Sequence, residues 1–117
     1  MKVFISHSQS FDYTKELYKP LKESDLNIKH EFSFPHENNG TVNTKEVIKN
    51  SDLVLAEVSF PSTGQGIELG WANIFNIPIL CISKDGEKIS SSLGQITDRF
   101  IDYTGSDDMI KKIKAEI

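Results

Sequence analysis

The 117-residue chain holds a single cysteine, Cys81, inside an apolar run. No disulfide can form within the chain, and a lone Cys among apolar neighbours reads as a small core residue. That suits a reducing, cytoplasmic setting. No apolar stretch approaches the ~20 residues that span a bilayer. The opening MKVFISHS has no long apolar segment, so neither a signal peptide nor a membrane partner is expected. Basic residues are in deficit: 13 Lys and Arg against 17 Asp and Glu leave a net charge of −4. A nucleic-acid polymer is therefore not expected as a partner, although a local phosphate site is compatible with that balance. No His/Cys group has metal-ligand spacing, so no metal and no cofactor are expected. Repeats and low-complexity linkers are lacking too. The length and the 38% hydrophobic content suit one domain over residues 1–117 with its own core.

What is present centres on Ser51 to Asn73, SDLVLAEVSFPSTGQGIELGWAN. Leu53 to Val58 is apolar except for Glu57, short and not alternating, as in a parallel strand buried on both faces. Ser59 to Gly66 brings Ser, Pro, Thr and two Gly, which predicts a loop. From Ile67 the apolar residues Ile67, Trp71, Ile74 and Phe75 fall at helical spacing. Strand, glycine-containing loop and helix then follow one another, and in an open parallel sheet such a loop lies at the ligand-binding carboxyl edge. Glu68 is expected in the first turn of the helix, where the dipole favours a carboxylate by about 0.3–1 kcal/mol. Gly64 and Gly66 would let backbone N–H groups approach a bound group. First-turn glutamates also serve as caps, and loop glycines as turns, so spacing alone leaves both readings open.

The rest of the chain alternates strands and helices. Val3-Phe4-Ile5 reads as the first strand, and Ser6-His7-Ser8-Gln9-Ser10 as a polar loop at the same sheet edge. His7 is there a candidate ligand contact or a locally bonded loop histidine, and Ser10 a candidate helix cap. Tyr13, Leu17 and Leu21 mark a helix that Pro20 should kink or restart. In Leu26 to Phe34, the alternation of Ile28, His30, Phe32 and Phe34 predicts an edge strand. Pro35 to Gly40 is a loop carrying His36 and Glu37. A short helix is expected over Thr41 to Asn50, with Val42, Val47 and Ile48 inward. Ile79 to Ile82 is a continuous apolar strand, Lys84 to Lys88 a charged turn, and Phe100 to Tyr103 a last short strand. Ser106 should cap a helix whose stripe is Ile110, Ile113 and Ile117. This order implies an α/β protein, a flavodoxin-like three-layer α/β/α sandwich. Its five-stranded parallel sheet should have the order 2-1-3-4-5, with the crevice between the loops after strands one and three and His7 beside Glu68.

The run AEVSFPSTGQGIELGWA resembles the signature of the nucleoside 2-deoxyribosyltransferase-like superfamily, closest to its 2'-deoxynucleoside 5'-phosphate N-hydrolase branch. The match is strong over Asp52 to Ala72 and weak through Asn76 to Cys81. The resemblance implies cleavage or transfer at the N-glycosidic bond of a (deoxy)nucleoside or its 5'-monophosphate, with Glu68 as the nucleophile. It also implies a nucleoside or nucleotide partner and a homodimer. Ser6, His7 and Ser8, with Pro61, Ser62, Gly64 and Gly66, would border the substrate, and Ser90 matches a serine that contacts the phosphate in that branch. Ser90 also fits a plain Ser-rich helix start. The chain departs from the pattern at three places, one of them the first-strand Gly-Ser segment, which is here Ser6-His7-Ser8. Thr44 stands where the family carries an aspartate, with Asn43 and Glu46 nearby, and the first-strand tyrosine falls near Val3 or Phe4, both apolar. His7, Tyr13, His36 or Glu37 are the available substitutes. A non-catalytic nucleotide-binding or signalling module on the same fold is the alternative. The opening Val3 to Ser8 also resembles the first strand of Toll/interleukin-1 receptor domains, some of which cleave NAD with a glutamate.

Overall fold

Buried apolar runs set the sheet. The computed structural model describes residues 1–37 and 43–117. The expected helix start at Thr41, its apolar position Val42 and the loop tip at residues 38–40 lie outside the described residues. The strands are β1 (Lys2–His7), β2 (Glu31–Ser33), β3 (Leu53–Glu57), β4 (Ile79–Lys84) and β5 (Phe100–Tyr103). All neighbouring pairs are parallel, in the order β2-β1-β3-β4-β5. The helices are α1 (Lys19–Glu23), α2 (Leu26–Lys29), α3 (Thr44–Lys49), α4 (Thr63–Ile74) and α5 (Ser106–Glu116).

The continuous apolar runs feed two cores, because successive side chains leave a strand on opposite faces. Val3, Ile5, Leu55, Leu80 and Ile82 pack with Leu17, Leu21, Leu26 and Ile113 beneath α1, α2 and α5. Phe4, Val54, Ala56 and Cys81 pack with Ile48, Leu69 and Ala72 beneath α3 and α4. Each of these large side chains, fully buried, contributes roughly 1.5–3 kcal/mol. The chain is thus a three-layer α/β/α sandwich. Strand order reverses at β1, which pairs with β2 on one side and β3 on the other. The register Ser6↔Ala56 and His7↔Glu57 aligns the carboxyl ends of β1 and β3, and this is where the crevice opens.

Local chemistry explains where the elements differ from the spacing. Pro20 has no N–H to give, so the chain enters α1 through a wide turn over Thr14–Tyr18, closed by Lys19 N–H to the Thr14 carbonyl. Ser10 does not cap it. Asp12 does, its Oδ1 accepting from Lys15 N–H at 3.3 Å. The expected edge strand is cut short: Leu26–Lys29 forms one helical turn, with Leu26 buried and Ile28 86% exposed. Burial of Leu26 under the sheet outweighs the alternating pattern, and only Glu31–Ser33 pair with β1. Gly105, not Ser106, is the cap position of α5, and the Asp108 carboxylate accepts from Thr104 N–H at 3.0 Å. α4 ends in a left-handed Asn76 (φ 60°), with Ile77 N–H to Ala72 and Asn76 N–H to Asn73 closing its last carbonyls.

Candidate active site

The amino end of α4 is fixed by two side chains. Ser62 is extended, and its hydroxyl accepts from Gln65 N–H at 3.2 Å. Gln65 is buried, and its Nε2 donates to the Ser6 carbonyl at 3.2 Å and the Glu57 carbonyl at 2.7 Å. Cap and staple start the helix at Thr63, earlier than the apolar spacing from Ile67 suggests. Glu68 therefore stands in the second turn, not the first. Gly64 and Gly66 belong to the helix, not to a loop, and a β-carbon at either would meet open space.

One turn beyond Gln65, the half-buried Glu68 side chain meets β1. Ser6 Oγ donates to Glu68 Oε1 at 2.8 Å. Burial raises the Glu68 pKa above the ordinary carboxylate value, and the Ser6 hydrogen bond opposes that rise. Ser6 and His7 are the last residues of β1 and not loop residues, so they point to opposite faces. Ser6, not His7, is the partner of Glu68.

His7 is buried and spends both ring nitrogens inside the protein. Nδ1–H donates to the Ser8 carbonyl at 2.7 Å, and Nε2 accepts from the Tyr18 hydroxyl at 2.6 Å. Burial pulls its pKa down to about 4, against the Ser8 bond, with nearby His36 adding to the drop. Tyr18 Oη in turn accepts from His36 N–H at 3.2 Å. Burial pushes the Tyr18 pKa upward, and the charge of Glu68 contributes in the same direction. Tyr13 lies 4.5 Å from the His7 ring and 5.8 Å from the His36 ring, centre to centre. Ser8, also buried, donates to Ser10 Oγ at 2.9 Å.

The remaining expected contacts lie elsewhere. Pro61, Ser62, Gly66 and Ser90 line a cavity of about 300 Å³ with Leu69 and Leu93, between α4 and the short turn Ser91–Gln95. Glu68 is not among its walls, and neither is Gly64. Ser90 caps that turn, accepting from Ser92 N–H at 3.3 Å. A wider groove of about 1010 Å³ between α1 and α5 is open, lined by charges of both signs, and touches no strand end. Thr44 opens α3 behind the Asn43 cap. The Lys45 and Lys49 ammonium groups sit 6.0 Å from the ring centres of Trp71 and Phe75, which lays α3 along α4.

The sequence alone does not mark Glu57, Gln65 or Tyr18 as site residues. Glu57 was visible as the one carboxylate ending an apolar strand. It is buried and accepts from Ser59 N–H at 2.6 Å, from Ser59 Oγ and from the Tyr103 hydroxyl. Nothing in the spacing marks Gln65 or Tyr18, whose roles depend on contacts across the sheet edge. Among the described residues, no group of three His, Cys, Asp or Glu could hold a metal ion, and no helix is long and apolar enough to cross a membrane.

No family model matches the chain. A protein of Methanosarcina barkeri (strain Fusaro / DSM 804) with the provisional name 2'-deoxynucleoside 5'-phosphate N-hydrolase 1 is 33% identical over 72 residues, 60% of this chain and 45% of that protein. The match thus spans less than half of the relative's length. A solved CMP N-glycosidase of Clostridium botulinum superposes over 100% of both chains, with a TM-score of 0.71 and 19% identity. A 2-deoxyribosyltransferase of Bacillus psychrosaccharolyticus covers 93% of this chain and 90% of its own, with a TM-score of 0.68 and 17% identity. One from Leishmania mexicana covers 72% and 65%, with a TM-score of 0.58 and 18% identity. At these identities the solved structures show a shared fold. The resemblance to the nucleoside 2-deoxyribosyltransferase-like superfamily stands in both sequence and fold.

Proposed function

We propose, from that likeness and from the geometry at the sheet edge, that the chain cleaves or transfers at the N-glycosidic bond of a (deoxy)nucleoside or its 5'-monophosphate, with Glu68 as nucleophile. The observation that carries the reading is the Ser6–Glu68 hydrogen bond at 2.8 Å. It holds Oε1 and leaves Oε2 to attack the anomeric carbon, where positive charge develops as the base departs. Water then hydrolyses the glycosyl ester, or a second base takes the sugar. Ser6 acts here by positioning the carboxylate and by favouring its charged form. Ser8 and His7 shape the wall without offering a free ring nitrogen. The hydroxyls of Ser62 and Ser90 accept backbone N–H bonds and keep their own protons to donate, which suits a phosphate or hydroxyl group in the cavity they share with Pro61 and Gly66, on the flank of α4 away from Glu68.

Residues 1–117 act in this reading as one domain, and a homodimer is its expected assembly. On α4, Ile67 is 50% and Ile74 75% exposed beside half-buried Trp71, an apolar stripe that a second copy would cover. A cytoplasmic setting agrees with Cys81, a buried thiol whose pKa burial pushes up to about 12. The second reading, a non-catalytic nucleotide-binding or signalling module, is favoured by Thr44 at the position of the family's aspartate. Chromatography of the protein incubated with 2'-deoxynucleosides, their 5'-monophosphates, ribonucleotides and NAD, with and without a free base, separates the two. Released or exchanged base supports the enzyme. Ligand-induced thermal stabilisation with no release from any compound supports the module.

A further inference from the structure

We propose that Gln65 sets the substrate class of the reaction assigned above to Glu68: its Oε1 accepts from an uncharged 5'-hydroxyl, so the chain takes (deoxy)nucleosides in preference to their 5'-monophosphates. The inference rests on the reading of Glu68. It decides what that reading leaves open, a phosphate or a hydroxyl in the cavity beside α4.

Gln65 is only 5% exposed. Both partners of its Nε2 are carbonyl oxygens, of Ser6 at 3.2 Å and of Glu57 at 2.7 Å. Carbonyls only accept, so the amide has one orientation. With both Nε2 protons given away, the side chain can still offer its carbonyl oxygen, Oε1. Among the described residues none donates to Oε1, and none of their fully buried side-chain polar atoms lacks a partner, so Oε1 is open to a ligand. An oriented acceptor without a donor, on a side chain this deeply buried, calls for an incoming O–H or N–H group.

Two contacts place that acceptor beside the reacting centre. The Gln65 amide touches the Ser6 carbonyl, and the Ser6 hydroxyl holds Glu68 Oε1 at 2.8 Å. Amide and carboxylate thus meet the same residue of β1. A furanose whose C1' faces Glu68 Oε2 extends its C5' side towards the amide. Gln65 is also a wall of the cavity of about 300 Å³. It faces the sheet between the flank of α4 that carries Glu68 and the flank that carries the cavity.

The remaining wall disfavours a charged group. Among the described residues no Lys, Arg or His lines it, and Val58, Leu69, Leu93 and Ile96 make much of it apolar. The Gln65 N–H is spent on Ser62 Oγ, and the Gly66 N–H on the Ser62 carbonyl at 3.1 Å. Thr63 and Gly64, the first residues of α4, are not among the walls. A phosphate dianion only accepts. It would face Oε1 as a second acceptor and find no cation to offset its lost hydration. A 5'-hydroxyl donates to Oε1 and accepts from the Ser62 or Ser90 hydroxyl, so both sides are satisfied.

The test measures base release from 2'-deoxynucleosides, their 5'-monophosphates and their 5'-deoxy analogues. The parent's kcat/KM is expected to be higher for the nucleosides than for the monophosphates by about 10-fold or more, and removal of the 5'-hydroxyl to lower it by about 10–100-fold, because Oε1 is then left unpaired. In Gln65→Met the nucleoside and its 5'-deoxy analogue both slow, yet the ratio between them should shrink to less than about 3-fold. A merely structural role of Gln65 would leave that ratio as it is. Monophosphates released as fast as the nucleosides or faster, a 5'-deoxy analogue cleaved at the full rate, or an unchanged ratio in Gln65→Met, with release still lost in Glu68→Gln, overturn the role of Gln65 and leave the nucleophile standing. No release by the parent from any of the compounds, or release that persists in Glu68→Gln, overturns the inference together with the reading of Glu68.

Discussion

At the residue scale the account rests on one carboxylate and its hydroxyl partner. Burial raises the Glu68 pKa and Ser6 lowers it, so removing Ser6 must raise it further. In the proposed reaction the nucleophile is the ionised form, and Ser6→Ala should shift the acid limb of the pH–rate profile to higher pH. The lost hydrogen bond to a charged group is worth about 1.5–3 kcal/mol, so kcat should fall by roughly 10–100-fold when all of it acts in the transition state. An unchanged limb and an unchanged rate would mean that Ser6 does not position Glu68. The segment around Glu68 was readable because Gly-x-Glu-Leu-Gly is a local pattern. The partner was not, since Ser6 looks like a loop residue until β1 is seen to continue through His7.

At the element scale, the amino end of α4 is held by side chains and not by helix propensity. Thr63, Gly64 and Gly66 are poor helix formers, yet the helix begins there because Ser62 caps it and Gln65 ties it to the ends of β1 and β3. Gln65→Ala leaves two buried carbonyls short of a donor and should cost about 1–3 kcal/mol, read as a lower urea midpoint. It should also reduce turnover, because Glu68 follows Gln65 by one turn. A variant of full stability and full activity would show that the staple carries neither. The same competition explains the expectations that did not hold. Alternation over Ile28 to Phe34 gave a strand, but Leu26 finds the core only as part of a helical turn. Continuous apolar runs such as Leu53–Glu57 and Ile79–Ile82 left no such choice, and β3 and β4 lie where the spacing put them.

At the scale of the whole molecule, the parallel order β2-β1-β3-β4-β5 brings residues far apart in sequence to one edge. Architecture was legible because the alternation of strands and helices allows few right-handed arrangements. The division of the site was not legible. Ser6 and Glu68 lie on one flank of α4, whereas Pro61, Ser62, Gly66 and Ser90 share a cavity on the other, a matter of helical angle that spacing within a supposed loop cannot give. The edge also carries a stability cost in acid. His7 is neutral and buried with its pKa near 4, below the ordinary histidine value of 6.5. The unfolded chain therefore binds the extra proton first. The stabilisation is complete above about pH 6.5 and is lost as pH falls towards 4, amounting to at most about 3 kcal/mol. Urea midpoints should drop between pH 7 and pH 4.5 in the parent, and His7→Gln should flatten that part of the dependence. An equally steep dependence in His7→Gln would assign the effect to other groups.

The central claim is that Glu68 forms a bond to the sugar. The most direct measurement is intact and peptide mass spectrometry after incubation with 2'-fluoro-substituted 2'-deoxynucleoside 5'-monophosphates, whose fluorine slows hydrolysis of the glycosyl ester. The account predicts one added fluorosugar phosphate on the peptide that contains Glu68, and none in Glu68→Gln, whose release of base from the unsubstituted nucleotides falls by on the order of 10³-fold or more. Base release that proceeds in Glu68→Gln at the parent's rate, or an adduct on a different residue, would contradict it.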